Sequence, residues 1–193
     1  MISANIPAMP TPADELTKDA VLLSADNYAG TIKAFYPFWD AQYRPYLIDA
    51  VNLLPHTQFD YKPRPEMLTA RQVILHIAEA ELWWVRTILD GEPPLPDDVA
   101  AHTDPAQGWE TIYDAPDHNT LLFRLEEAHR HTQRWFGLPA TELAKTRTRK
   151  RPDGTERTLT VHWILDHVQE HEIHHRAQLN LYLRLLGITP PSI

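Results

Sequence analysis

Four of the chain's 11 histidines fall in one short run, His167-Val168-Gln169-Glu170-His171-Glu172-Ile173-His174-His175-Arg176. Residues four apart on a helix stack on one face, so His171 and His175 can aim two imidazoles at a common point. Neutral imidazole is a ligand for zinc, nickel or iron, and an H-x-x-x-H pair supplies two nitrogens for one helical turn. A third ligand must come from elsewhere. His76 is the best donor, because it interrupts the apolar stripe Val73, Ile77, Ala80, Trp84, Ile88 with no polar neighbour in that stripe to satisfy it. His167 lies a turn before His171, and His174 sits about 60° round the helix from the ligand face. Both are assigned to supporting or packing roles. His129 is a spare ligand on the inner side of another helix, and His56, His102, His118, His131 and His162 read as surface residues.

Three neutral ligands leave a divalent metal its full charge and at least one open position. Such a centre lowers the pKa of bound water to about 7, or that of a bound thiol, and so makes a nucleophile at neutral pH. The chain has no cysteine, so it offers neither a thiolate ligand nor a sulfur nucleophile of its own. One chemistry that fits is hydrolysis, with Glu79, Glu170 or Glu172 as general base. Another reading has the metal only staple two helices. Trp83 and Trp84 either wall a substrate pocket or pack in the core, with core packing preferred. The basic run Lys145, Arg147, Arg149, Lys150, Arg151 is expected to be a solvated hairpin rather than a receiver of an anionic cofactor.

These residues need elements to hold them. Tyr46, Leu47, Ala50, Val51 and Leu54 predict a helix over about 38–54, with Pro45 kinking or breaking its early part. Thr69 and Gln72 form a capping-box signature for a second helix that stops near Gly91. A third helix is predicted over about 119–136, ended by Gly137 and Pro139, and the last over about 160–186, ended by Gly187. Alternating Thr and Arg on either side of Pro152-Asp153-Gly154 predict a β-hairpin. The Pro- and Asp-rich stretch 92–116 is a candidate lid or a surface crossover.

Length and charge limit the rest. With 193 residues the chain holds one domain with a real core, and it divides into an irregular N-terminal arm, 1–30, and a helical domain, 31–193. A net charge of -8 argues against nucleic acid or an anionic membrane as partner, leaving a small-molecule substrate. No apolar run approaches the about 20 residues that span a bilayer, and the N-terminus lacks the pattern of a signal peptide. The absence of disulfides fits the cytoplasm.

The stretches Leu75-His76-Ile77-Ala78-Glu79-Ala80-Glu81 and His167 to Leu179, followed by Tyr182-Leu183-Arg184-Leu185-Leu186-Gly187, resemble the DinB/YfiT-like family of metalloenzymes, which is unrelated to the DNA polymerase sharing the first name. The resemblance covers about 38–187. It implies an all-α, up-and-down four-helix bundle with a long crossover, here with a small β-hairpin insertion. It also implies a divalent metal on the positions of His76, His171 and His175, and commonly a homodimer. The usual Arg-Gly-Gln after the paired histidines is here Arg176-Ala177-Gln178. Related proteins include S-transferases that use low-molecular-weight thiols such as bacillithiol or mycothiol, and a mycothiol-dependent maleylpyruvate isomerase. The function implied is therefore a metal-dependent S-transferase acting on electrophiles, with a metal-dependent hydrolase or a non-enzymatic stress-related protein as alternatives.

Overall fold

The computed structural model describes residues 28–93, 117–150 and 154–192. Residues 1–27 of the proposed arm, the candidate lid beyond residue 93, His102 and Arg151 lie outside these residues. Among the described residues are four α-helices, α1 Arg44–Leu53, α2 Ala70–Leu82, α3 His118–Phe136 and α4 Val161–Leu185. One antiparallel hairpin, β1 Thr146–Lys150 and β2 Glu156–Thr160, precedes α4. The fold is a four-helix bundle with a small two-stranded insertion. No described helix is long and apolar enough to cross a membrane.

Three of the four helices, α2, α3 and α4, start where a side chain satisfies an orphan backbone donor. Thr69 Oγ1 accepts from Gln72 N at 3.2 Å and Gln72 Oε1 accepts from Thr69 N at 2.8 Å, so the capping box before α2 is complete. Asp117 accepts from Thr120 N before α3, and Thr160 accepts from Trp163 N before α4. Gly187, at φ 78°, supplies the left-handed residue that ends α4. Pro45 does not break its helix. It sits in the first turn of α1, where no backbone N–H is missed, and a π-helical turn, Trp39–Tyr43, leads into it. A second π-helical stretch, Trp83–Leu89, continues α2 and widens its last turns around Trp83 and Trp84.

The core has two apolar parts. One joins α1, α2, α3 and the C-terminal half of α4 around Leu47, Ile74, Leu125 and Tyr182. The other gathers Ile32, Tyr36, Trp39, Val85, Phe136, Leu143 and Ile164 near the hairpin.

A buried polar hub ties the four helices together. Arg44 of α1 lies 2.7 Å from Glu172 of α4 and also bonds Glu81 of α2. Thr132 Oγ1 of α3 donates to Glu81 at 2.7 Å, and Trp39 Nε1 donates to Glu172 at 3.0 Å. His129 belongs to this hub and is not a spare metal ligand: its ring nitrogens contact Glu81 at 2.9 Å and Asp40 at 2.7 Å. Burial opposes the charge of Glu81, yet Arg44, His129 and Thr132 together hold its pKa down at about 2. His162 is another departure from the expected surface position. It is half-buried, with Nδ1 3.0 Å from the Tyr28 hydroxyl, while Tyr36 donates to the neighbouring Asp166 at 2.9 Å.

Candidate metal site

α2 and α4 pack against each other, and one apolar stripe on each is interrupted by histidine at the same level. His76 comes from α2, and His171 and His175 come from successive turns of α4. One ligand atom from each of the three lies within 4.8 Å of the others, and these are the only described His, Asp or Glu residues that gather so. His76 Nε2 and His171 Nε2 are 3.0 Å apart. Three nitrogens on a tetrahedral zinc would stand about 3.3 Å apart for bonds of about 2.0 Å. The ring centres are 4.3 to 4.7 Å apart and the planes are steeply inclined, so the rings converge edge-on instead of stacking.

Electrostatics favour the lone pair over the proton. Burial, followed by the His175 charge, lowers His76 to about 4, and burial with four neighbouring imidazoles lowers His171 to about 2. Burial also lowers His175, against the pull of Gln178. All three are thus neutral at pH 7, the form a metal requires.

Gln178 sets the orientation of one ring. His175 Nδ1–H donates to Gln178 Oε1 at 2.8 Å, which leaves Nε2 as the acceptor directed to the cluster. The amide nitrogen of Gln178 lies 3.3 Å from His174 Nε2, so His174 steadies the residue that steadies His175. Sequence reasoning missed Gln178. Its signal was the i,i+3 spacing from His175.

The three candidate bases lie elsewhere. Glu172, one position after His171, is rotated about 100° from it by helix geometry. It is only 2% exposed, and its Oε2 contacts both Arg44 and Trp39. Burial pushes its pKa up. Glu79 is buried in α2 at 8% exposure, and Glu170 is exposed on α4. None joins the three histidines as a donor.

Toward the hairpin, the groove between α2 and α4 is aromatic. The His167 ring is 6.2 Å from that of His171, stacks on Trp163 at 4.9 Å and meets Trp84 edge-on at 5.1 Å. Trp84 is largely buried and Trp163 half-exposed, so the pair both closes the core and faces the groove.

A model of the DinB family matches residues 31–193. Among solved structures, a DinB-like protein from Bacillus subtilis is similar with TM-score 0.55 and 20% identity over 78% of this chain and 90% of its own. A DinB-like protein from Bacillus cereus is similar with TM-score 0.58 and 18% identity over 84% of this chain and 97% of its own. At those identities the likeness is one of fold. No curated protein matches the chain.

Proposed function

The chain belongs to the DinB family, and from that premise we propose that His76, His171 and His175 hold one divalent metal, zinc, nickel or iron, in a transferase that joins a low-molecular-weight thiol of the bacillithiol type to an electrophile. The observation that carries the reading is the convergence of three neutral imidazole nitrogens from two helices in a half-buried position with no carboxylate among them. Such a donor set suits a borderline-soft metal and leaves it an open position. When bound there, the metal would lower the pKa of an incoming thiol or water.

The chain's own residues have separate tasks. Gln178 fixes the tautomer of His175, and the apolar packing around His76 and His171 keeps both rings neutral. Trp84, Trp163 and His167 exclude water from one side of the groove. In the reaction the thiol proton passes to solvent, a sulfur–carbon bond forms, and the leaving group departs with its electron pair. A thiolate needs no general base. The general-base route to hydrolysis does, and Glu172 is tied to Arg44 while no described carboxylate joins the three histidines, so we prefer transfer to hydrolysis.

The test is a thiol-consumption assay. Metal-loaded protein with monochlorobimane and a panel of bacillithiol, mycothiol, coenzyme A and glutathione is expected to form conjugate faster than chelator-treated protein, and His171→Ala is expected to lose that excess. Equal rates with and without metal for every thiol, or turnover of chromogenic esters in their place, would overturn the transferase reading.

A further inference from the structure

After α4 the chain turns back on itself. Gly187, at φ 78°, ends the helix, and Ile188 N donates to Leu183 O at 2.8 Å. Ile188 then packs against the core and Pro190 is buried, so this short tail is fixed beside the helix it follows. Pro190 and Pro191 each restrict φ and lack a backbone N–H, which keeps the tail from resuming a helix. Between the tail and α4 lies a cavity of about 700 Å³, the size of a small-molecule pocket.

The walls of the cavity are of two kinds. Ala177 of α4 and Ile188, Pro190 and Pro191 of the tail are apolar, whereas Asn180 and Arg184, one turn apart on α4, are polar. Asn180 Oδ1 is buried and accepts no hydrogen bond, an arrangement that costs stability. With that end of the amide turned inward, Nδ2 is the end left for the cavity. The Arg184 guanidinium is exposed, and among the described residues it has neither an ion pair nor a hydrogen bond. A cation in the last turn complements the helix dipole, which is reason enough for Arg184 but none for Asn180. Positions i and i+4 share a helix face, so the two sets of unused donors stand together.

This is not the face of the histidines. Arg184 is nine positions after His175, about 180° round the helix at 100° per residue, so the cavity lies across α4 from His76, His171 and His175.

We infer that the cavity between α4 and the C-terminal tail binds a small monocarboxylate, its carboxylate on the Arg184 guanidinium and Asn180 Nδ2 and its apolar body against Ile188, Pro190 and Pro191. The planar fork of arginine matches a carboxylate in shape and charge. One cation beside apolar walls, in a chain of net charge -8, suits a single such group and not a polyanion. The site is separate from the metal cluster and its binding does not depend on it.

The experiment is run on the full chain after chelator treatment. Cyclohexanecarboxylate and its neutral counterpart cyclohexanecarboxamide are titrated at fixed ionic strength into isotope-labelled protein and followed by amide NMR. The carboxylate is expected to give saturable shifts at the Asn180 side-chain amide and at Gly187, Ile188 and Thr189, and the carboxamide none. Because Arg184 is exposed, Arg184→Gln leaves the fold in place, and it should raise the carboxylate Kd at least about tenfold, the scale of losing a charge-assisted bond. Arg184→Lys keeps the charge without the fork and should give an intermediate Kd. Lys150→Gln removes a charge from the exposed face of the hairpin and should leave the Kd unchanged. No saturable shifts, shifts centred on His76, His171 and His175, equal binding of the carboxamide, or a parental Kd in Arg184→Gln would overturn the inference. A chain that never takes up metal would give the same titration.

Discussion

His171 and Glu172 are consecutive residues that serve opposite kinds of site. Glu172 enters the Arg44 hub, where Glu81, His129, Thr132, Trp39 and Asp40 bond to one another across the bundle. His171 turns the other way, to two more histidines that are kept neutral. The hub sets a buried cation between two buried carboxylates and is a structural device. The cluster brings three imidazole nitrogens together with no carboxylate or cation among them, which is a donor set that suits a metal. Burial of ionisable groups is common to both; opposite charges in one and three like, neutral bases in the other separate them.

Removing Arg44 should separate them most sharply. Arg44→Ala leaves Glu81 and Glu172 buried beside each other without their cation, so a loss of about 3–5 kcal/mol in urea unfolding is expected. The metal content of the remaining folded protein should not change. A loss under about 1 kcal/mol would deny the hub its structural role.

Gln178→Ala should act in the reverse sense. Without the acceptor for Nδ1–H, His175 is free to rotate and to change tautomer, and metal affinity should fall about 10- to 100-fold by competition with a chromophoric chelator. Stability of the metal-free protein should hold. An unchanged affinity would show that Gln178 does not orient His175.

Acid should produce the most graded difference. The folded-state pKa values of His76 and His171 lie below the ordinary 6.5, so the unfolded chain binds more protons and the stability these groups contribute is present above pH 6.5. It is lost as pH falls from 6.5 toward about 4 for His76, and continues to fall toward about 2 for His171. Glu81, lowered from 4.5 to about 2, loses its contribution only between those values. Denaturant midpoints against pH should show an early decline that His76→Ala reduces, and a later one that it leaves in place. A single decline beginning below pH 4.5 would contradict the neutral state of the cluster.

Much of this was legible from residue types and spacing. The H-x-x-x-H pair, the histidine in an apolar stripe, and the Thr69–Gln72 cap are local patterns, and local patterns survive folding. What escaped depends on distant partners. Arg44 reads as an ordinary polar residue at a helix start, because Glu81 and Glu172 are far away in the chain. His129 looked available for the same reason. In the hairpin, alternation predicted strands correctly but not which face would meet the bundle. Thr and Arg invite the arginines outward, and Trp83, Trp84 and Trp163 turn them in. The π-helical turns have no distinct pattern of their own, since one extra residue in a turn is set by packing.

The central claim is that His76, His171 and His175 together hold one metal ion. Elemental analysis of purified protein, after growth with zinc, nickel and iron supplied, tests it beside His76→Ala, His171→Ala and His175→Ala. One divalent metal per folded chain is predicted for the parent, with most of it lost in each variant. A metal-free parent, or full occupancy in any one of the three variants, would contradict it.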